Sequence, residues 1–157
     1  MLANSHKTAI SRKGPSVPCR WLHKQGLLAG RILDWGCGRG QDRAWLDGQH
    51  IYAVGHDPHY RPKKPLKGLL FETVLCTYVL NCIPNYFDRA LIVEEALEYL
   101  APGGWLYVSI RANKKDLKGW TSKGTWQGYV GMDLFHGGFR IIRRTRDHEI
   151  WGWQRPA

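Results

Sequence analysis

The chain has 157 residues, room for one domain with a real core, and its 23 Lys and Arg against 13 Asp and Glu leave a formal net charge of +10. No apolar run approaches the roughly twenty residues of a membrane span, and Met1 to Arg12 holds no apolar stretch followed by a cleavage site, so a cytoplasmic protein without a membrane partner is expected. Cys19, Cys37, Cys76 and Cys82 form no Cys-x-x-Cys pair and, with His56 and His59, are too scattered for a zinc site; free thiols and no metal are expected.

Residues His6 to Lys13 are polar and basic. Gly14-Pro15-Ser16 then offers a turn and a cap for a short helix over Pro18 to Lys24. A strand is expected over Arg31 to Trp35, a helix over Gln41 to Leu46 ending at Asp47-Gly48, and a second strand over Ile51 to His56. Strand, glycine turn, helix and strand in so short a span make a right-handed βαβ unit with parallel strands. Three prolines and four basic residues between Pro58 and Gly68 read as loop.

Thr73 to Leu80 reads as a buried parallel strand ending near Thr77. A helix is expected from Phe87 to Leu100, with Leu91, Ala96, Leu97 and Leu100 near 3.6-residue spacing as its apolar positions and Pro102-Gly103-Gly104 stopping it. Trp105 to Ile110 follows as a strand, and Lys114 to Met132 as loop or short helix. Phe139 to Thr145 and Glu149 to Gln154 suit an antiparallel hairpin. The fold class is α/β with a mainly parallel sheet. Its single domain divides into a basic N-terminal segment and cap helix (1–30), a cofactor-binding core (31–111) and a loop with the terminal hairpin (112–157).

The residues with most chemical content are Gly36, Gly38 and Gly40, at alternate positions directly after the first strand. Without Cβ atoms the backbone can turn tightly and approach a ligand, and the helix after it presents free N–H groups. Asp57 ends the second strand about twenty residues on, the separation at which an acid reaches a ribose diol. A nucleotide-like cofactor is expected. The charge asks for an anionic partner: basic clusters at His6 to Lys13, Arg61 to Lys67, Arg111 to Lys123 and Arg140 to Arg146, interleaved with Trp120, Trp126, Trp151 and Trp153, are of the kind that hold phosphates and stack bases. Simple solubility, with the tryptophans in the core, is the competing account.

In order, Asp34-Trp35-Gly36-Cys37-Gly38-Arg39-Gly40, Gly55-His56-Asp57, Phe71 to Asn81 and Leu100-Ala101-Pro102-Gly103-Gly104-Trp105-Leu106 resemble four blocks of the class I S-adenosylmethionine (SAM)-dependent methyltransferases. More narrowly, Lys7 to Lys13 and Tyr78-Val79-Leu80-Asn81 are similar to small bacterial and phage methyltransferases, some of them associated with DNA phosphorothioation. A nicotinamide dehydrogenase shares the βαβ logic, but Gly-x-Gly-x-Gly is one residue shorter than its pattern and no second domain is present to hold a hydride acceptor.

The resemblance implies a Rossmann-like fold and SAM as cofactor, bound by Asp34, Gly36, Cys37, Gly38, Gly40, Asp57, Pro58, Thr77 and Tyr78. Asp34 would orient the turn and the amino group, Asp57 would accept the ribose hydroxyls, and Thr77 to Asn81 would face the methyl group. The family's usual third strand has almost no room in Pro58 to Gly68, so the sheet is expected to be trimmed at that edge. Adenine recognition would then pass to His59 or Tyr60, unless these only pack the loop down. The N-terminal segment could fold over the cofactor and bring Ser11, Arg12 or Lys13 to its carboxylate.

Methyl transfer needs proximity and orientation more than acid–base machinery. Tyr78, Asn81 and His59 are the side chains expected to orient the acceptor; Asn81 has an alternative role as a helix cap or turn residue before Pro84. The Asp/Asn-Pro-Pro-aromatic string of amine-methylating DNA enzymes and the Pro-Cys of cytosine C5 enzymes are both missing. That leaves an oxygen, carboxylate, sulfur or ring nitrogen as the accepting atom; from the charge it is expected on nucleic acid or something associated with it, with a small molecule or peptide as the alternative, and a SAM-binding subunit without turnover as a third reading.

Overall fold

The computed structural model describes residues 4–131 and 137–157. In chain order the main elements are α1 (Val17–Lys24), β1 (Ile32–Trp35), α2 (Gln41–Gly48), β2 (Ala53–His56), β3 (Phe71–Thr77) and α3 (Tyr86–Glu98), then β4 (Leu100–Arg111), β5 (Gly119–Trp120), β6 (Trp126–Gln127), β7 (Arg140–Arg144) and β8 (His148–Gln154). Short 3₁₀ turns lie at Ser5–Thr8 and Leu80–Cys82.

Six strands form one sheet in the order β2-β1-β3-β4-β8-β7, and β5 pairs with β6 apart from it. The first four strands are parallel, and β8 and β7 add antiparallel partners at the far side. Strand alternation sends Leu33, Val74, Leu106 and Val108 to a core under Val93 and Ala96 of α3. Ile32, Leu75, Tyr107 and Ile150 face the other way, under Cys19 and Leu22 of α1 and Leu46 of α2. Helices thus cover both faces, and the chain leaves β1 toward β2 on one side and β3 on the other. In a doubly wound sheet that reversal opens a crevice at the carboxyl ends of the strands.

α1 forms because Ser16 caps it, Oγ accepting from Cys19 N at 3.2 Å, with Pro18 in the first turn. No strand follows β2 before β3: from Asp57 the chain makes one isolated bridge to Arg61 and continues as loop, so β2 is the sheet edge and the expected trimming is present.

Two expectations are corrected, and the open one for the stretch from Lys114 is narrowed. α3 ends at Glu98, and Leu100 through Gly104 already belong to β4. Pro102-Gly103-Gly104 makes a bulge there, since Phe71 pairs with Leu100 but Thr73 pairs with Trp105. Gly104 has to be glycine, because a Cβ would stand 2.8 Å from Glu72 O. Leu91 is 53% exposed, and the inward face of α3 is carried by Val93 and Ala96. The stretch from Lys114 contains turns and the β5–β6 pair but no helix among its described residues; Met132, its expected end, lies outside them.

Candidate active site

The carboxyl ends of β1, β2, β3 and β4 open into one cavity of about 830 Å³. After β1 the chain reverses through Gly36, Gly38 and Gly40, with φ of 80°, 53° and 81°. Gly36 N and Cys37 N both donate to His56 O, at 2.7 and 2.9 Å, which ties the turn to the end of β2. A Cβ on Gly36 would stand 2.4 Å from Val79 Cγ2. Gly40 caps α2 and faces the Arg61 side chain; it does not line the cavity.

Asp57 closes this turn. Its Oδ2 accepts from Gly38 N at 3.0 Å, and Oδ1 accepts from His59 N and Tyr60 N, both at 2.9 Å. The carboxylate lines the cavity beside Gly36, Cys37, Gly38 and Pro58. Burial first, then the charges of Asp34 and Asp57, push the Cys37 thiol up to about 12, so this cysteine is a neutral wall at physiological pH. Gly55 makes room for it, since a Cβ there would meet Cys37 Sγ at 2.8 Å.

Asp34 sits beneath the turn and is not a wall of the cavity; 2% of it is exposed. Burial, reinforced by Asp42 and Asp57 and opposed by Arg12, pushes its carboxyl well above the usual range. Asp42 is also buried and is held by Ser16 N at 2.5 Å, Ser16 Oγ at 2.7 Å and the Arg12 guanidinium at 3.6 Å.

The N-terminal segment does fold over the cavity. Ser5 to Ile10 and Arg12 line it, whereas Ser11 and Lys13 do not. The His6 ring stacks on His59 with centroids 4.0 Å apart, and Tyr60 Oη donates to His6 O at 3.2 Å. His59 is thus part of the cavity wall, and Tyr60 turns to the strap outside it.

Past β3, Thr77, Tyr78 and Asn81 all reach the cavity. Tyr78 has φ 58°, a left-handed backbone that a bulky residue adopts only when its surroundings hold it there. Its N–H donates to Ser109 O at 2.8 Å, and the Arg111 guanidinium lies 4.9 Å from its ring centroid. Burial raises the Tyr78 phenol, with Arg111 and Arg12 opposing, so it remains a neutral donor. Asn81 is no helix cap; that role falls to Asn85, whose Oδ1 accepts from Phe87 N and Asp88 N.

The sequence reading missed Arg111 as a wall residue, and Lys123, Thr125 and Gln127 with it. Arg111 ends β4 and the other three come in on the β5–β6 hairpin, which has no periodicity to announce it. The basic clusters are less suited to base stacking than expected. Trp151 and Trp153 pack half-buried on the core and spend their N–H groups on Glu149 Oε1 and Gly137 O, while Trp120 stays 59% exposed. Among the described residues no group of three or more His, Cys, Asp and Glu could hold a metal, and no helix is long and apolar enough to cross a membrane.

No curated protein matches this chain in sequence. Among solved structures, the CcbJ methyltransferase from Streptomyces caelestis is similar with TM-score 0.65 and 16% identity, over 99% of this chain and 96% of that one. The N-methyltransferase NodS from Bradyrhizobium japonicum WM9, in complex with S-adenosylhomocysteine, is similar with TM-score 0.59 and 14% identity, over 99% of each chain. The 1,6-didemethyltoxoflavin-N1-methyltransferase of Burkholderia thailandensis, with its substrate and S-adenosylhomocysteine bound, is similar with TM-score 0.64 and 13% identity, over 90% and 78%. At these identities the likeness is one of fold, the same Rossmann-like sheet with its crevice at the point where strand order reverses. A family model described as a methyltransferase domain matches residues 11–157, and with nearly the whole chain inside that match, the protein belongs to the methyltransferase-domain family.

Proposed function

We propose that the cavity binds S-adenosylmethionine and that the protein transfers its methyl group to a small acceptor. The observation that carries this is Asp57, a carboxylate fastened to the glycine turn through Gly38 N–H and standing in the same cavity as Thr77 and Tyr78. An acid so placed takes a ribose diol while the turn runs beside the rest of the ligand. The residues fit the cofactor: a glycine turn that a Cβ would fill, a ribose acid, and a volume within the roughly 300–1,000 Å³ of small-molecule sites. Two of the similar structures hold S-adenosylhomocysteine.

Bound there, the cofactor would supply a methyl group carried on a positively charged sulfur, activated for transfer to a lone pair held in line with it. The chain's own part is to place and enclose. Asp57 and Pro58 hold the nucleoside end, with His59 and its His6 partner closing that side, and Gly36, Cys37 and Gly38 run beside the homocysteine part. Asp34 supports the turn from below. Thr77, Tyr78 and Asn81 stand at the acceptor end, and Tyr78 orients by donating its phenol hydrogen.

A small acceptor is favoured because the N-terminal segment and the β5–β6 hairpin both contribute walls to the cavity beside the glycine turn. A nucleic-acid acceptor is the second reading, favoured by exposed Arg140, Arg144 and Arg146 on and beside the edge strand β7 and by the net charge of +10. Kinship with the phosphorothioation-associated proteins belongs to that reading.

Binding of SAM by calorimetry, followed by labelled methyl transfer to separate pools of metabolites, DNA, RNA and protein, tests both. Asp57→Ala is expected to lose at least about tenfold in SAM affinity, the size of one charged hydrogen bond. Unchanged affinity in that variant would refute the ribose assignment. Label entering only DNA or RNA, with salt-dependent binding, would replace the small acceptor by the second reading.

A further inference from the structure

The glycine turn, Asp57 and Thr77 account for one end of the cavity. Beyond Tyr78 the chamber continues past the end of β4 to the β5–β6 hairpin, and the side chains there have a different character. Asn81 is fully buried, 0% exposed, and its amide is fixed in orientation. Nδ2 donates to Gln127 Oε1 at 2.7 Å and points at Cys82 Sγ at 3.5 Å. Oδ1 has no donor among the described residues, and Asn81 is one of the residues around the cavity. A buried amide oxygen left without a donor is uncommon, and at a cavity wall it marks a place where a ligand's N–H or O–H belongs.

Arg111 stands over the Tyr78 ring at 4.9 Å and makes no ion pair with a described carboxylate. Lys123, in the turn of the hairpin, lines the same chamber and is equally without an ion pair among the described residues. Besides Asp57, three acids line the cavity: Asp116, Asp88, and Glu95, whose carboxylate is paired with Lys64 at 3.6 Å. Arg111 is also set apart from the nucleoside end. The glycine turn follows β1, Arg111 ends β4, and β3 lies between them, so two strand spacings of about 4.8 Å each separate the two backbones.

Two flanking segments are anchored beside the cavity. Thr8 Oγ1, whose hydrogen goes to Ser5 O at 2.6 Å, lies 3.2 Å from Cys82 Sγ, and Gly128 N donates to Asn81 O at 2.9 Å, so the N-terminal strap and the hairpin both rest against the turn after β3.

Resting on the methyltransferase reading, we propose that this chamber is an acceptor subsite for a small anionic molecule, its carboxylate or phosphate seated on Arg111 with Lys123 beside it and its N–H or O–H accepted by Asn81 Oδ1. A planar guanidinium stacked on an aromatic ring is preorganised to take an oxyanion in its plane.

The test is calorimetric titration of the protein saturated with S-adenosylhomocysteine. The probes are para-hydroxybenzoate, phenyl phosphate, unsubstituted benzoate, para-hydroxybenzamide, tyramine and an oligothymidylate. At least one of the two hydroxybenzoate and phosphate probes is expected to bind tenfold or more tighter than the neutral amide and the cationic amine, and the stronger of them names the anion. Arg111→Met, which keeps the stem over Tyr78, is expected to abolish that preference while S-adenosylhomocysteine affinity changes less than twofold. Asn81→Leu is expected to equalise para-hydroxybenzoate and benzoate. Equal or tighter binding of the amide or amine overturns the proposal, as does binding of none of the small probes. So does an Arg111→Met variant that loses S-adenosylhomocysteine, since Arg111 would then serve the cofactor. Binding of the oligothymidylate alone, sensitive to Arg111, overturns it in favour of a nucleic-acid acceptor. Failure of S-adenosylhomocysteine to bind the parent protein is a separate result, and it defeats the methyltransferase reading itself.

Discussion

Gly36 and Gly38 both hold a positive φ, of 80° and 53°, but only Gly36 is pressed by a neighbour. A Cβ on Gly38 would meet Ala9 Cβ at 3.4 Å, an ordinary contact, so Gly38→Ala is expected to cost only the left-handed backbone term, about 1–2 kcal/mol. On Gly36 the same methyl would stand 2.4 Å from Val79 Cγ2, on a β-branched side chain with little rotamer freedom, at the turn that builds the acceptor wall. Overpacking of that kind adds about 1–3 kcal/mol, so Gly36→Ala is expected to cost about 2–5 kcal/mol in all. Urea unfolding followed by tryptophan fluorescence gives each value, and the double variant Gly36→Ala/Val79→Ala isolates the clash. The two changes should be less damaging together than their sum by about 1–3 kcal/mol, while the backbone term remains. Additive costs within about 0.5 kcal/mol, or a Gly36→Ala variant as stable as Gly38→Ala, would refute the argument that Gly36 is glycine because of Val79.

Ser16 Oγ both caps α1 and donates to the buried Asp42, so Ser16→Ala should cost about 1–3 kcal/mol in the same assay; a loss below about 0.5 kcal/mol would show the cap to be dispensable. Burial lowers the affinity of His56 and His148 for protons, with Lys64 adding to the effect on the first and Arg143 on the second. The unfolded chain therefore binds more protons than the folded one below the ordinary histidine range. Stability should be fully present above pH about 6.5 and fall with acidification, by at most about 1.4 kcal/mol per pH unit for each histidine. Asp34 acts in the opposite sense, because its raised carboxyl keeps its proton in the fold and becomes a burden as pH rises above the unfolded value. His148→Gln should flatten the fall between about pH 5 and 6.5, and Asp34→Asn should steepen it; denaturation curves at several pH values check both signs.

Where the backbone itself dictated a residue type, the fold could be read from the sequence. The alternate glycines after β1 answer a demand for positive φ that other residues meet poorly, and Ser16 before Pro18 answers the demand for a cap. The loop after Asp57 was plain for the same reason, since three prolines cannot pair into a sheet. α3 was harder. Phe87 and Leu91 are exposed at 78% and 53% while Val93 and Ala96 are buried, so apolar residues lie all round the helix and spacing alone does not choose a face. Pro102-Gly103-Gly104 looked like a helix stop, but the helix had ended four residues earlier, and those residues bulge the start of β4 and bond to the chain end through Gly103 N and Arg155 N.

The acceptor end shows a different limit, and Tyr78 shows its cause. Nothing in the string Thr77-Tyr78-Val79 announces a left-handed tyrosine, because a strained non-glycine residue is chosen by what holds it and not by its own preference. Here the hold is long-range: Ser109 O takes its N–H, Cys82 Sγ donates to its carbonyl at 3.4 Å, and Arg111 lies over its ring. The reversal presses Val79 into the space left by Gly36 and sets Asn81 beside the cavity. One strained turn thus packs the glycine loop, through Val79, against the residues proposed to face the acceptor. In a transfer reaction that mostly needs two molecules held in line, such a rigid joint is the part of the site that sets their relative position.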